Sequence, residues 1–208
     1  MKARKPTTRR TQEQKVLALA AKNSLLRARD LTERDLPTIL LTRLVGSGKL
    51  ERVSRGVYAL PRMPLSAHRS LAEVAIRVPR GVVCLLSALR VHDIGTQAPH
   101  EVWLAIPHRM LSPRLESPSV RIVRMSGAAM DEGIEHVAAD NLRIPVFNAA
   151  KTVADCFKYR NKIGLDVALE ALRDARRQRK VTIDELWHYA EVDRVANVMR
   201  PYLEAVTG

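Results

Sequence analysis

The sequence predicts an α+β chain in two parts. A small N-terminal unit of helices and a basic hairpin precedes a larger α+β domain with a small sheet packed by helices. Helical periodicity fills residues 11–45, and a hairpin pattern closed by Pro61 follows it. Beyond Pro64, short apolar runs of strand character are set among amphipathic helices. The expected division is a basic arm at 1–10, a compact unit at 11–62 and a second domain at 65–208. Charge follows the same division. The chain holds 35 Lys+Arg against 22 Asp+Glu, net +13, and residues 1–60 alone hold 14 against 5. A net of +9 is thus concentrated in the first part, where a polyanion would be met.

The arm MKARKPTTRR has no periodicity. Arg4, Arg9 and Arg10 are candidate phosphate or minor-groove contacts, against the plainer reading of a solvated tail. Thr11-Gln12-Glu13-Gln14 has the form of a capping box, and Val16, Leu17, Ala20 and Ala21 make the inner face of the first helix. A second helix, roughly Arg27–Arg34, buries Leu31. The chain then turns at Asp35-Leu36, aspartate tolerating a left-handed conformation better than most residues. A third helix runs from about Pro37 to Val45. Leu40, Leu41, Leu44 and Val45 share one stripe; Thr38, Ile39, Thr42 and Arg43 share the other. The hairpin Lys49–Leu60 brings Arg52, Ser54 and Arg55 to a turn ending at Gly56. Together these segments read as a winged helix-turn-helix.

That reading assigns roles. Arg43 is the expected base reader, since its guanidinium can pair with guanine O6 and N7. Thr38 and Thr42 would touch phosphates or bases, and Ile39 either a thymine methyl or the neighbouring helix. Arg52, Ser54 and Arg55 would hold phosphates from the wing.

In the second part, helical pattern resumes at Ser66–Val78, and Val82–Val91 reads as a buried helix. Strands are expected at Glu101–Ile106, Val120–Met125, Ile134–Val137 and Leu142–Val146, with Pro145 pushing the last toward an edge. Asn148 should cap a helix to about Arg160, with Ala150, Val153, Ala154 and Phe157 inward. Another helix spans Leu165–Lys180. Its last turns carry Arg173, Arg176, Arg177, Arg179 and Lys180, either a helix end matched to its dipole or a patch for RNA or protein. Thr182-Ile183-Asp184-Glu185 is a second capping box, opening a helix broken near Pro201.

Several chemistries find no support. The longest apolar run, Gly81–Leu89, is far short of the ~20 residues a membrane span needs. Val16–Ala21 is too short for a secretory core. Two cysteines in apolar helical contexts fit reduced thiols and a cytoplasm rather than a disulfide framework. Gly46-Ser47-Gly48-Lys49 lacks the first glycine and the final hydroxyl of a phosphate loop. Six histidines are scattered without metal spacing, and no Gly-x-Ser-x-Gly elbow occurs. No catalytic residue, metal or cofactor is expected. Lys151 and Asp155, with His92, are the weakest enzyme candidates, and their i, i+4 spacing suits a local ion pair.

The residues resemble the AbiEi antitoxins of bacterial type IV toxin–antitoxin and abortive-infection systems. The resemblance lies in Arg43-Leu44-Val45, Gly48-Lys49-Leu50 and Arg55-Gly56-Val57-Tyr58, then in Arg80–His92, Pro99–Pro107 and Ala149–Leu172. Where that family tends to place glycine, this chain has Asp35 and Asp93. The resemblance implies a repressor of its own operon, binding inverted repeats in promoter DNA through the winged helix. It further implies a C-terminal domain that counters a nucleotidyltransferase-like toxin, in many members without a stable complex. Two alternatives stay open: a general winged-helix regulator without a toxin partner, and an antitoxin that binds its toxin directly.

Overall fold

The computed structural model describes residues 11–23, 25–61, 69–115, 117–139 and 142–206. Arg4, Arg9 and Arg10 lie outside the described residues. The chain divides into two compact units, Met1–Arg69 with Ala139–Leu142, and Ser70–Ala138 with Arg143–Gly208.

In the first unit, α1 (Gln12–Lys22) opens on the expected capping box, in which Thr11 Oγ1 accepts from the Gln14 amide and Gln14 Oε1 accepts from the Thr11 amide. Val16 and Ala20 are buried, while Ala21 is exposed, one position off the stripe assigned to it. A two-stranded hairpin, β2 (Glu51–Ser54) and β3 (Val57–Ala59), is extended by β1 (Leu26–Arg27) into a sheet of order β1-β3-β2. Helix α2 is only Ala28–Thr32. Of the expected Arg27–Arg34, Arg27 belongs to β1, where Leu26 pairs with Tyr58 and Arg27 with Val57, and the helix stops before Glu33. Helix α3 spans Ile39–Gly46. Pro37 and Thr38 precede it in a tighter turn, their carbonyls accepting from Leu40 and Leu41 at 3.2 and 3.0 Å. Leu40, Leu41 and Leu44 join Val16, Leu31 and Leu50 in one core. Asp35 takes φ +53°, as the turn required.

The second unit is built on a five-stranded sheet of order β6-β5-β4-β8-β7. Its strands are β4 (Val82–Val83), β5 (Val102–Pro107), β6 (Val120–Met125), β7 (Ile134–Ala139) and β8 (Leu142–Phe147). β5 runs parallel to β6 and antiparallel to β4, and β4 runs parallel to β8. The helices are α4 (Arg69–Arg77), α5 (Leu85–Val91), α6 (Ala128–Asp131), α7 (Ala149–Lys158), α8 (Arg160–Ile163), α9 (Leu165–Arg177), α10 (Ile183–Val192) and α11 (Ala196–Ala205). Helix α7 is central, packing against α5, α9, α10 and α11.

Three expectations are corrected here. The run Val82–Val91 is a strand and then a helix, because Val82 and Val83 pair with Ala105 and Leu104 in mid-sheet. Pro145 sits in an interior strand, β8. Its missing amide is tolerated because the short β4 pairs with β8 only at Val83–Val146. The helix after Thr182 ends at Val192, with Arg194 left-handed at φ +58°, and Pro201 lies inside the separate α11.

Among the described residues no helix is long and apolar enough to cross a membrane. Cys84 and Cys156 are free and buried. Burial pushes both thiols well above the ordinary range, which keeps them as unreactive packing groups.

Candidate nucleic-acid interface

The leucine stripe of α3 is sunk in the core, so its opposite face must look outward. Thr38, Thr42 and Arg43 are exposed, and Ile39 is 55 % exposed despite its aliphatic side chain. More than half of Ile39 therefore faces solvent rather than a neighbouring helix. The wing is fixed at both ends. Gly56, at φ +77°, makes the hairpin turn, and its carbonyl accepts from the Ala28 amide at 3.1 Å. Arg52 and Arg55 are exposed. A register shift lies between Arg52 and Ser54. Ser54 Oγ is buried and has no hydrogen-bond partner among the described residues, so it is withdrawn from the outer surface where a phosphate would lie.

Charged partners separate structural arginines from available ones. Arg27 grips Asp30 through Nε and Nη2, at 3.0 and 2.7 Å from Oδ1, while its amide donates to Oδ2 at 2.8 Å. Burial would raise the Asp30 carboxyl, but the hydrogen bonds and charge of Arg27 outweigh it and hold it below its ordinary value. Arg34 is also committed, donating to the Asp30 carbonyl at 2.8 Å. Arg29, Arg43, Arg52 and Arg55 remain exposed, with no hydrogen-bond or ion-pair partner among the described residues. Arg29 on α2 was not singled out from the sequence. Its exposure depends on Asp30 turning inward, which the spacing of charges alone does not reveal.

The C-terminal basic run is mostly spent within the fold. Arg176 donates to the Val181 carbonyl at 3.0 Å, Arg177 pairs with Asp174, and Lys180 reaches the His92 and Asp93 carbonyls at the end of α5. Only Arg173 and Arg179 are exposed without a partner among the described residues, so the run does not form a continuous patch.

Lys151 and Asp155 do meet, at 2.6 Å, but both are wholly buried, and Asp193 lies 3.2 Å from the same Nζ. Burial alone would lower the lysine, yet Asp155 and Asp193 outweigh it and keep the ammonium charged. His92 is engaged elsewhere, with Nε2 2.7 Å from the Phe147 carbonyl oxygen. The three do not form one site. No cluster of three or more metal-ligating side chains occurs among the described residues.

The first unit has the fold of a winged helix-turn-helix, and the second is an α+β domain. Residues 14–61 match the family described as "Transcriptional regulator, AbiEi antitoxin". That match lies within the first unit and likens it to antitoxins and transcriptional regulators. The crystal structure of the RV2827C protein from Mycobacterium tuberculosis shares the fold, with a TM-score of 0.59 at 14 % identity, over 88 % of this chain and 72 % of that one. No curated protein matches the sequence.

Proposed function

We propose that the chain is a DNA-binding repressor and antitoxin that autoregulates its own operon and counteracts a nucleotidyltransferase-like toxin through its C-terminal domain. The observation that supports DNA binding is the division of arginines in the first unit: Arg27 and Arg34 hold the fold, while Arg29, Arg43, Arg52 and Arg55 are exposed and unpaired among the described residues. In this reading α3 enters the major groove, with Arg43 on base edges, Ile39 against a thymine methyl, and Thr38 and Thr42 on phosphate or base. Arg52 and Arg55 hold the backbone from the wing, and Arg29 adds a phosphate contact from α2. The DNA partner is promoter duplex with inverted repeats. No membrane partner is invoked.

Co-expression tests the two halves together. The intact chain should protect cells from a nucleotidyltransferase encoded beside it and silence a reporter fused to the operon's upstream region. Arg43→Ala should lose silencing and retain protection. A chain that neither silences nor protects would overturn the proposal.

A further inference from the structure

The second unit has a cavity of about 600 Å³ where the parallel strands β5 and β6 end. That volume falls within the roughly 300–1,000 Å³ of small-molecule sites and exceeds what a bare anion needs. Pro107 and the buried Met125 and Met130 supply an apolar wall, and Arg80, His108, Arg109, Ser126, Gly127 and Asp131 line the rest.

The backbone carrying the two cations is built. Arg80 sits in a turn closed by the Gly81 amide on the Val78 carbonyl at 2.9 Å. A Cβ at residue 81 would lie 2.7 Å from Leu104 Cδ2, so a larger residue there would have to displace that buried side chain. Arg109 sits in a turn closed by the Met110 amide on the Pro107 carbonyl at 2.9 Å. Arg124 clamps that turn, donating to the His108 and Met110 carbonyls at 2.6 and 2.7 Å.

Neighbouring arginines are committed to the protein: Arg77 to the Ser117 carbonyl, Arg121 to Glu101, and Arg124 to its clamp. Arg80 and Arg109 are exposed and have no partner among the described residues. Two guanidinium groups on fixed turns suit a phosphate group. Methionine sulfur and a proline ring suit an aromatic face. A carboxylate at the same cavity accepts hydrogen bonds from hydroxyl or amino donors.

We infer that this cavity binds a nucleoside monophosphate, its phosphate on Arg80 and Arg109 and its base against Met125 and Met130. The same group exists free or as the 5′-phosphorylated end of a strand.

The test is calorimetric titration of the full chain, without promoter DNA, with AMP, GMP, CMP and UMP. Inorganic phosphate and the unphosphorylated nucleosides serve as controls. At least one nucleotide should bind saturably and more tightly than either of its parts. Arg80→Gln and Arg109→Gln should each weaken it about tenfold, the worth of a hydrogen bond to a charged group. Thermal midpoints should not move, since both side chains are exposed. A 5′-phosphorylated dinucleotide that binds tighter than the mononucleotide identifies a strand end as the source; weaker binding identifies the free nucleotide. Absence of saturation, binding indifferent to both substitutions, or phosphate binding as well as any nucleotide would overturn the inference. With no duplex in the titration, the result is independent of the repressor reading.

Discussion

Lys151 Nζ lies 2.6 Å from Asp155 Oδ1, four residues along α7, and neither side chain reaches solvent. Asp193, at the end of α10, completes the cluster at 3.2 Å, and Lys158 reaches the same carboxylate at 3.3 Å. The ion cluster ties α7 to the end of α10. Replacing Lys151 with methionine leaves the buried Asp155 without its cation, and the expected loss is about 3–5 kcal/mol, that of a broken buried pair. Adding Asp155→Leu to Lys151→Met should recover part of that loss, since Asp193 keeps Lys158. Urea unfolding of the two variants checks both statements. A loss under about 1 kcal/mol for Lys151→Met, the range of an exposed pair, would contradict them.

Asp30 gives the first unit a pH dependence. Its carboxyl is held below the ordinary 3.8 in the folded chain, so the unfolded state binds its proton more readily. The stabilisation is complete above that ordinary value and is lost as pH falls through the lower folded one. Asp30→Ala, which also removes the cap on the Arg27 amide, should cost about 1–2 kcal/mol near neutrality. Thermal melts should show this gap closing below about pH 4. A gap constant with pH would contradict the role.

Several helices end in a left-handed residue that is not glycine. At α9 the Lys180 amide bonds the Ala175 carbonyl at 2.9 Å across Arg179, whose φ is +56°; at α5 the Ile94 amide bonds the Leu89 carbonyl at 2.9 Å across Asp93, at φ +49°. Glycine removes the Cβ strain in each. Arg179→Gly should stabilise the chain by about 0.5–1 kcal/mol, and Asp93→Gly by less, since aspartate tolerates the conformation better. Calorimetric melting measures both. A lowered midpoint for Arg179→Gly would refute the argument.

The residues legible in the sequence were those whose partners are local. Both capping boxes, the leucine stripe of α3, the Gly56 turn and the Asn148 cap depend on spacings of three or four residues, and each is present. The left-handed Asp35 was legible from aspartate's tolerance of that conformation at a turn, and Asp93 only from the resemblance, which places glycine there. What was hidden depends on distant chain. Leu26 and Arg27 become a strand only because β3 offers them hydrogen bonds. Val82 and Val83 leave a helical pattern because the longer β5 lies beside them. Asp193 joins Lys151 from 42 residues away, and Lys180 is drawn to carbonyls 87 and 88 residues earlier in the chain. In the basic run at the end of α9, Lys180 alone has such a distant partner, while Arg176 and Arg177 are held by Val181 and Asp174 close by.

Wing and recognition helix should differ in what they contribute. Arg55→Ala is expected to weaken all duplexes alike and to reduce the salt slope of binding by about one. Anisotropy titrations across a range of salt concentrations measure that slope. An unchanged slope would remove Arg55 from the phosphate contacts.

The most direct measurement is the ratio of affinities for the operon's own upstream region and a scrambled duplex, for the parent chain and Arg43→Ala, at one salt concentration. The parent should prefer its own region, and Arg43→Ala should lose about 1–3 kcal/mol on that region alone, so the ratio falls. Equal affinity of the parent for both duplexes, or a ratio untouched by Arg43→Ala, would contradict α3 as the reader of sequence.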